Sequence, residues 1–331
     1  MDVSQLKTWA PSHFSWQPLP QLEWFRVGER RFVESFYEQT IERCFRHDPF
    51  NLLFAQQTPL AELLALAESA PGLMPSGFVF HMSRCGSTLI SRTLAQQPEL
   101  VALSEPAVLE EMLNLESEAV QRGYTLPRTE HIALLRALIS ALGQPRQGEK
   151  HFVIKLDAGA AYHLPLIQEA FPDVPWVFVY RDPVEVLVSQ SQLPGPQIIP
   201  GILPPALLGL TADEVTALPP DAYGALVIGK ICEAAVAAYE ATRSPARLIA
   251  YPQLPEALFE TVLPLFGISL PDESLAAMRA QTTRSAKSPE AVFSPDSATK
   301  QACATARLRE LADQYVMPAY QKLETLLSSK Y

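Results

Sequence analysis

Residues 78–94, FVFHMSRCGSTLISRTL, constrain this chain more than any other stretch. An apolar run, Phe78-Val79-Phe80, has the length and β-branched or aromatic character of a buried strand. It enters a polar loop, Ser83-Arg84-Cys85-Gly86-Ser87-Thr88. Leu89, Ile90, Thr93 and Leu94 then recur at helical spacing. A strand, a glycine-containing turn and a helix in succession place unpaired amide donors and the positive helix end at one point, which suits an anion. Gly86 lets the backbone approach, Ser87 and Thr88 offer hydroxyls, and Arg84 offers a donor fork matched to oxyanions.

Two familiar anion loops do not fit. In the GxxxxGK[ST] pattern, with Gly86 as second glycine, the first would fall at His81 and the lysine at Ser87; of the last two positions only Thr88 agrees. Ordinary nucleotide hydrolysis is thereby disfavoured. In a Cys-x5-Arg cradle starting from Cys85 the arginine would fall at Ser91, and Arg92 comes one residue late.

The rest of the chain alternates between strand and helix from residue 78. Strands are expected at 78–81, 100–103, 152–156, 176–180 and 247–251, with helices at 87–96, 107–122, 129–142, 161–170, from 183, 223–242, 255–266 and 305–328. Strands separated by helices of this length imply a parallel sheet covered by helices. In such sheets ligands sit beyond the carboxyl ends of the strands. The polar residues there are Ser83–Thr88, Ser104-Glu105, Lys155 with Asp157, and Arg181. Before this region, residues 1–31 read as an irregular lead-in, 32–46 as an amphipathic helix, and Thr58-Pro59 as the cap and first turn of a second helix. The expected organisation is an N-terminal helical extension, 1–75, followed by an α/β domain, 76–331. Residues 193–220 hold seven prolines and read as irregular.

A second motif supports the first. In WVFVYRDPVEVLVS, residues 176–189, Arg181 ends a strand and Ser189 follows eight residues later on the next helix. Pro183 suits the first helical turn and Asp182 its cap.

Together, Arg84-Cys85-Gly86-Ser87-Thr88 and the Arg181/Ser189 pair resemble the anion loops of sulfotransferases that use 3′-phosphoadenosine-5′-phosphosulfate (PAPS), over about residues 76–300. Ser104-Glu105-Pro106, Phe171-Pro172 and Ile249-Ala250-Tyr251 look like bacterial members. The resemblance implies a P-loop-type three-layer α/β/α fold, with PAPS as co-substrate and no metal. By the same resemblance, Arg84, Cys85, Gly86, Ser87 and Thr88 hold the 5′ side, and Arg181 and Ser189 the 3′-phosphate. Arg284 and Lys287 are candidates for the family's late basic loop, although the glycine usual there is absent. Arg84 matches the basic catalytic position. Some branches place a histidine two residues after a lysine on a central strand as base; here Lys155-Leu156-Asp157 has aspartate instead, and by the same resemblance Lys155 is a further catalytic candidate. Other branches use a glutamate after the second strand, where Glu105 stands. Glu105 is preferred over Asp157 as base; Glu105 could instead cap a helix before Pro106, and Asp157 could pair with Lys155. Two other readings stay open: a divergent P-loop kinase or NTPase, and a non-catalytic nucleotide-binding module.

Composition bounds the partners. The 26 basic and 36 acidic residues give a net charge of −10, so a general nucleic-acid binder, which needs a basic face, is not expected. The four cysteines are far apart and the six histidines scattered, without zinc-ligand spacing. The N-terminus has no secretory pattern and no apolar run reaches the roughly 20 residues of a membrane helix, so a cytoplasmic location without membrane contact is expected. The apolar, proline-rich 193–210 suggests a loop over the acceptor pocket, and hence a small-molecule acceptor with an apolar portion, or else plain core packing. Residues 1–75 either cover a sheet edge or help form a homodimer.

Overall fold

The computed structural model describes residues 8–16, 19–53, 56–282 and 296–329. Its centre is a five-stranded parallel sheet, ordered β5-β6-β4-β7-β8. The strands are β4 (Gly77–His81), β5 (Leu100–Ser104), β6 (His151–Lys155), β7 (Trp176–Tyr180) and β8 (Ala246–Ala250). β4, β5 and β7 are buried at every residue, as strands covered on both faces must be. The register sets Val79 and Ser104 on either side of Lys155, and Phe80 beside Phe178. The carboxyl ends of β5, β6, β4 and β7 therefore converge, with the anion loop following the middle strand.

The N-terminal extension is mixed rather than helical. It contains β1 (Trp9–Trp16), β2 (Pro20–Arg26) and β3 (Gln56–Pro59), paired antiparallel in the order β1-β2-β3, besides α1 (Tyr37–His47) and α2 (Leu60–Ser69). Both expected helices form, shorter at their starts. The lead-in forms two strands because its apolar residues meet a buried partner across the hairpin, a long-range fact that Pro11 and a register shift between Pro11 and His13 obscure locally. Thr58 does not cap α2: its hydroxyl accepts the Trp24 indole N–H at 2.8 Å, and Thr58 pairs with Leu22 in the sheet. The extension covers helices rather than an edge of the central sheet, packing across α4 (Ala107–Leu113) and α6 (Arg128–Leu142), with α5 (Leu115–Gln121) between them.

In the α/β region, α3 (Ser87–Ala95) follows β4, and α7 (Leu164–Ala170) follows a short 3-10 turn after β6. Helix α8 (Pro183–Gln192) follows β7, with Asp182 Oδ1 accepting the Glu185 amide at 3.1 Å as expected of its cap. Helix α9 (Pro220–Ala241) is long and apolar enough to cross a membrane by length and composition, but it is mostly buried in the fold, packed on α12 (Met317–Ser328). Helices α10 (Asp272–Thr282) and α11 (Ser297–Cys303), like the short helices Phe50–Leu53 and Ala212–Ala217, the latter inside the segment expected to be irregular, were not expected from the sequence; α11 packs on α8.

Candidate active site

The loop between β4 and α3 is built on left-handed backbone. Ser83, Arg84 and Gly86 have φ of 77°, 52° and 86°. Two consecutive non-glycine residues in that region store strain, a pattern that concentrates at functional sites. Gly86 is required as well as permitted, since a Cβ there would lie 3.0 Å from the Tyr251 ring. Cys85 turns inward, its thiol donating to the Val179 carbonyl at 3.1 Å. The loop is tied to α8 by Gln190, whose Nε2 donates to the Ser83 hydroxyl at 3.0 Å and whose Oε1 accepts the Gly195 amide at 2.8 Å. Arg84 donates from Nη2 to the Leu193 carbonyl, while its buried Nε has no hydrogen-bond partner. A buried guanidinium N–H without an acceptor, beside the free amides of a helix start, is a place where an oxyanion gains most.

This loop lines a cavity of about 830 Å³, within the usual range for small-molecule sites. The same cavity is lined by Glu105, Asp157, Ser189, Tyr251, Asp296 and Lys300, and by the start of the proline-rich segment, Leu193 to Gln197. Leu193–Gln197 lie over the cavity, whereas Leu203 and Leu208 are buried in the core.

At the end of β5, Glu105 adopts φ 53° and its amide donates to the Lys155 carbonyl at 2.7 Å. Its carboxylate forms an ion pair with Lys155, which is fully buried and does not line the cavity. His81, at the end of β4, accepts the Ser83 amide on Nδ1 at 3.0 Å. Its Nε2 faces the Leu156 carbonyl at 3.0 Å and Glu105 Oε1 at 3.3 Å; burial and Lys155 work to lower the ring's pKa, but the contacts with Cys85 and Glu105 raise it overall. Burial works to raise the Glu105 pKa, but the Lys155 ammonium and the His81 N–H hold it far below the usual carboxylate range. Asp157 is the opposite case. Its Oδ1 caps the following 3-10 turn through the Gly159 amide at 2.8 Å, and it forms no ion pair with Lys155. Burial and the neighbouring Glu105 charge push its pKa up. Glu110, on α4 nearby, is pushed up to about 7 by burial and by the Asp157 and Glu105 charges. Of the two carboxylates weighed as base from the sequence, Asp157 has the raised pKa and Glu105 the lowered one. His163 lies outside the cavity, with burial lowering its pKa to about 4.

Arg181 ends β7 as expected, but its guanidinium is already engaged. Nε donates to Glu185 at 2.6 Å, and Nη2 to Asp296 and to the Ser297 hydroxyl at 3.2 Å. The Tyr251 ring stacks on it at 3.9 Å. Ser189 faces the cavity, as does Lys300, which pairs with Asp296 at 2.8 Å. Burial raises the Asp296 pKa, but Lys300 and Arg181 outweigh it and hold the carboxylate below its usual range. Arg284 and Lys287 lie outside the described residues. The sequence reading missed Lys300 and Asp296, which sit on an unanticipated helix start, and His81, which registered only as the absence of a Walker glycine. A histidine closing a buried strand immediately before the loop was the available signal.

Among the described residues no group of three or more His, Cys, Asp or Glu side chains is arranged to hold a metal ion.

Residues 75–193 match the model of the sulfotransferase family. No curated protein matches the chain. Among solved structures, the chain is similar to sulfotransferase STF9 from Mycobacterium avium (15% identity, 77% of this chain and 81% of that one covered, TM-score 0.47). It is also similar to the sulfotransferase domain of the Synechococcus PCC 7002 olefin synthase (15%, 77% and 95%, 0.42) and to a sulfotransferase from Alicyclobacillus acidocaldarius (14%, 77% and 96%, 0.40).

Proposed function

We propose, from the match of residues 75–193 to the sulfotransferase family model, that this chain transfers a sulfuryl group from PAPS to a small acceptor in the cytoplasm. The observation that carries this reading is the strained loop at 83–88, with the unpartnered Arg84 Nε buried at the start of α3.

The fit of this chain to the donor is uneven, and the differences assign roles. On the 5′ side, Arg84, the amides at the start of α3 and the Ser87 and Thr88 hydroxyls supply positive charge and donors for the phosphosulfate oxygens. On the 3′ side, Ser189 and Lys300 face the cavity directly, and Arg181 becomes available to a phosphate when Asp296 gives way.

In the reaction the acceptor oxygen attacks sulfur in line. The bond from sulfur to the bridging phosphate oxygen breaks, and adenosine 3′,5′-bisphosphate leaves with the electron pair. Charge builds on the bridging oxygen, which Arg84 and the α3 amides stabilise; arginine does so as a permanent cation and does not protonate the leaving group. Asp157 takes the acceptor proton, because its raised pKa makes it the stronger base. Glu105, held ionised by Lys155 and His81, fixes the local field and the end of β5 rather than exchanging protons.

The test is titration calorimetry with adenosine 3′,5′-bisphosphate, beside ATP with Mg²⁺, on wild type, Arg84→Ala and Ser189→Ala. Micromolar, metal-free binding of the bisphosphate, weakened about tenfold or more in each variant, is the expected result. A preference for Mg-ATP, or affinity indifferent to both substitutions, overturns the reading in favour of a nucleotide-hydrolysing or unrelated site.

A further inference from the structure

The geometry points to Phe36 as the residue that selects the acceptor, and to an uncharged apolar alcohol or phenol as the class it selects; this rests on the sulfuryl-transfer reading above. The anion loop and Ser189 mark the donor end of the cavity, and Glu105 and Asp157 the proton-accepting end. The cavity is also lined by Ser35, Phe36 and Gln39, which belong to the N-terminal extension and lie outside the family-matching segment. The Phe36 ring centroid stands 5.8 Å from Lys155 Nζ, the ammonium paired with Glu105, so the ring belongs to the proton-accepting end.

Phe36 is presented by anchored backbone. Its amide donates to Gln39 Oε1 at 3.3 Å. Tyr37, next in sequence, is buried, stacks on Phe32 at 5.1 Å between ring centroids and donates its hydroxyl to the Pro11 carbonyl at 2.6 Å. Glu38 Oε1 accepts the Ala107 amide at 3.1 Å, which ties the start of α1 to the turn that carries Glu105. The wall and the turn that carries Glu105 are therefore tied to each other by the hydrogen bond between Glu38 and the start of α4.

The chemistry of this end narrows the acceptor. Phe36 and Leu193 offer apolar surface that a hydrocarbon or aromatic body buries with gain and a polyol does not. Asp157 and Glu105 repel an anionic acceptor, while the raised Asp157 pKa suits removal of a hydroxyl proton as the new S–O bond forms.

The experiment uses the full chain, PAPS as donor, and 2-naphthol against glycerol as acceptors. Wild type saturated with adenosine 3′,5′-bisphosphate is expected to bind 2-naphthol, and the enzyme to sulfate it in preference to glycerol. Phe36→Ala raises the 2-naphthol KM about tenfold or more with bisphosphate affinity and melting temperature unchanged, and Phe36→Tyr, which keeps the ring, restores the wild-type KM. An unchanged KM in Phe36→Ala, or a bisphosphate affinity that falls in step with acceptor affinity, overturns the role of Phe36. Wild type that binds the bisphosphate but neither binds nor sulfates 2-naphthol overturns the acceptor class and leaves the donor site standing. Failure of wild type to bind the bisphosphate overturns the donor reading, and this inference with it.

Discussion

Glu105 and Asp157 are both acidic, both near the ends of neighbouring strands, and both line one cavity, yet the structure gives them opposite tendencies. Lys155 and His81 hold Glu105 ionised, whereas burial and the Glu105 charge favour the protonated form of Asp157. Asp157→Asn should lower kcat about a hundredfold or more while leaving the melting temperature unchanged or higher, because it removes a desolvated charge. The wild-type rate should rise with pH as Asp157 loses its proton, above the ordinary aspartate range, and the variant should lose that limb. Glu105→Gln behaves differently: it leaves the Lys155 ammonium buried without its partner, at a cost of about 3–5 kcal/mol. Its inactivity would be accompanied by a large fall in thermal stability. Retained kcat in Asp157→Asn would remove Asp157 as base. The sequence placed both carboxylates and Lys155 at strand ends, because the ends of the apolar runs mark the ends of the strands. It did not reveal which carboxylate Lys155 takes, since that depends on how β5 and β6 align and on a left-handed Glu105.

At the scale of elements, β4, the anion loop and α3 form one unit whose geometry hinges on Gly86. Gly86→Ala must hold a Cβ at φ 86° and 3.0 Å from Tyr251. Its expected cost is about 1–3 kcal/mol, read by denaturant unfolding, together with loss of bisphosphate binding by calorimetry; retention of full affinity would mean that the loop does not hold the anion in this conformation. This unit was legible because a short apolar run, a glycine turn and a helical period follow one another without long-range help. So were β7, α8 and the Asp182 cap. The antiparallel sheet of the extension was not. Its strands are broken by Pro11, and β3 is too short to carry an alternation; Thr58 reads locally as a helix cap, and only the distant Trp24 indole shows otherwise.

For the whole molecule, the extension and the α/β region share one construction. Arg31 donates to the Ala95 and Gln97 carbonyls, Gln96 to the Val33 carbonyl at 3.0 Å, the Phe14 amide to Glu111 at 2.7 Å, and Arg146 to the Trp9 carbonyl at 3.3 Å. With the apolar packing on α4 and α6, these bonds make residues 8–75 part of the fold that holds the site. A chain beginning at residue 76 should fail to reach the native state, precipitating or showing no cooperative thermal transition. A truncated chain that melts cooperatively and binds bisphosphate like wild type would show that the extension is separable.

The bridge from Arg181 through Asp296 to Lys300 brings a carboxylate from far along the chain to two cations, of which Lys300 lines the cavity. Being tethered, this internal anion is present at a fixed effective concentration, of millimolar order or above for a connected segment, and does not diffuse away. Stray inorganic phosphate or sulfate must compete with it for Arg181 and Lys300 alone, and a lone tetrahedral ion has little else to offer. A nucleotide that also engages the 83–88 loop brings binding energy from its other end and can displace the carboxylate. On the sulfuryl-transfer reading proposed above, the site sets a threshold: it answers to ligands long enough to touch both ends at once and stays closed to the small anions that share their chemistry.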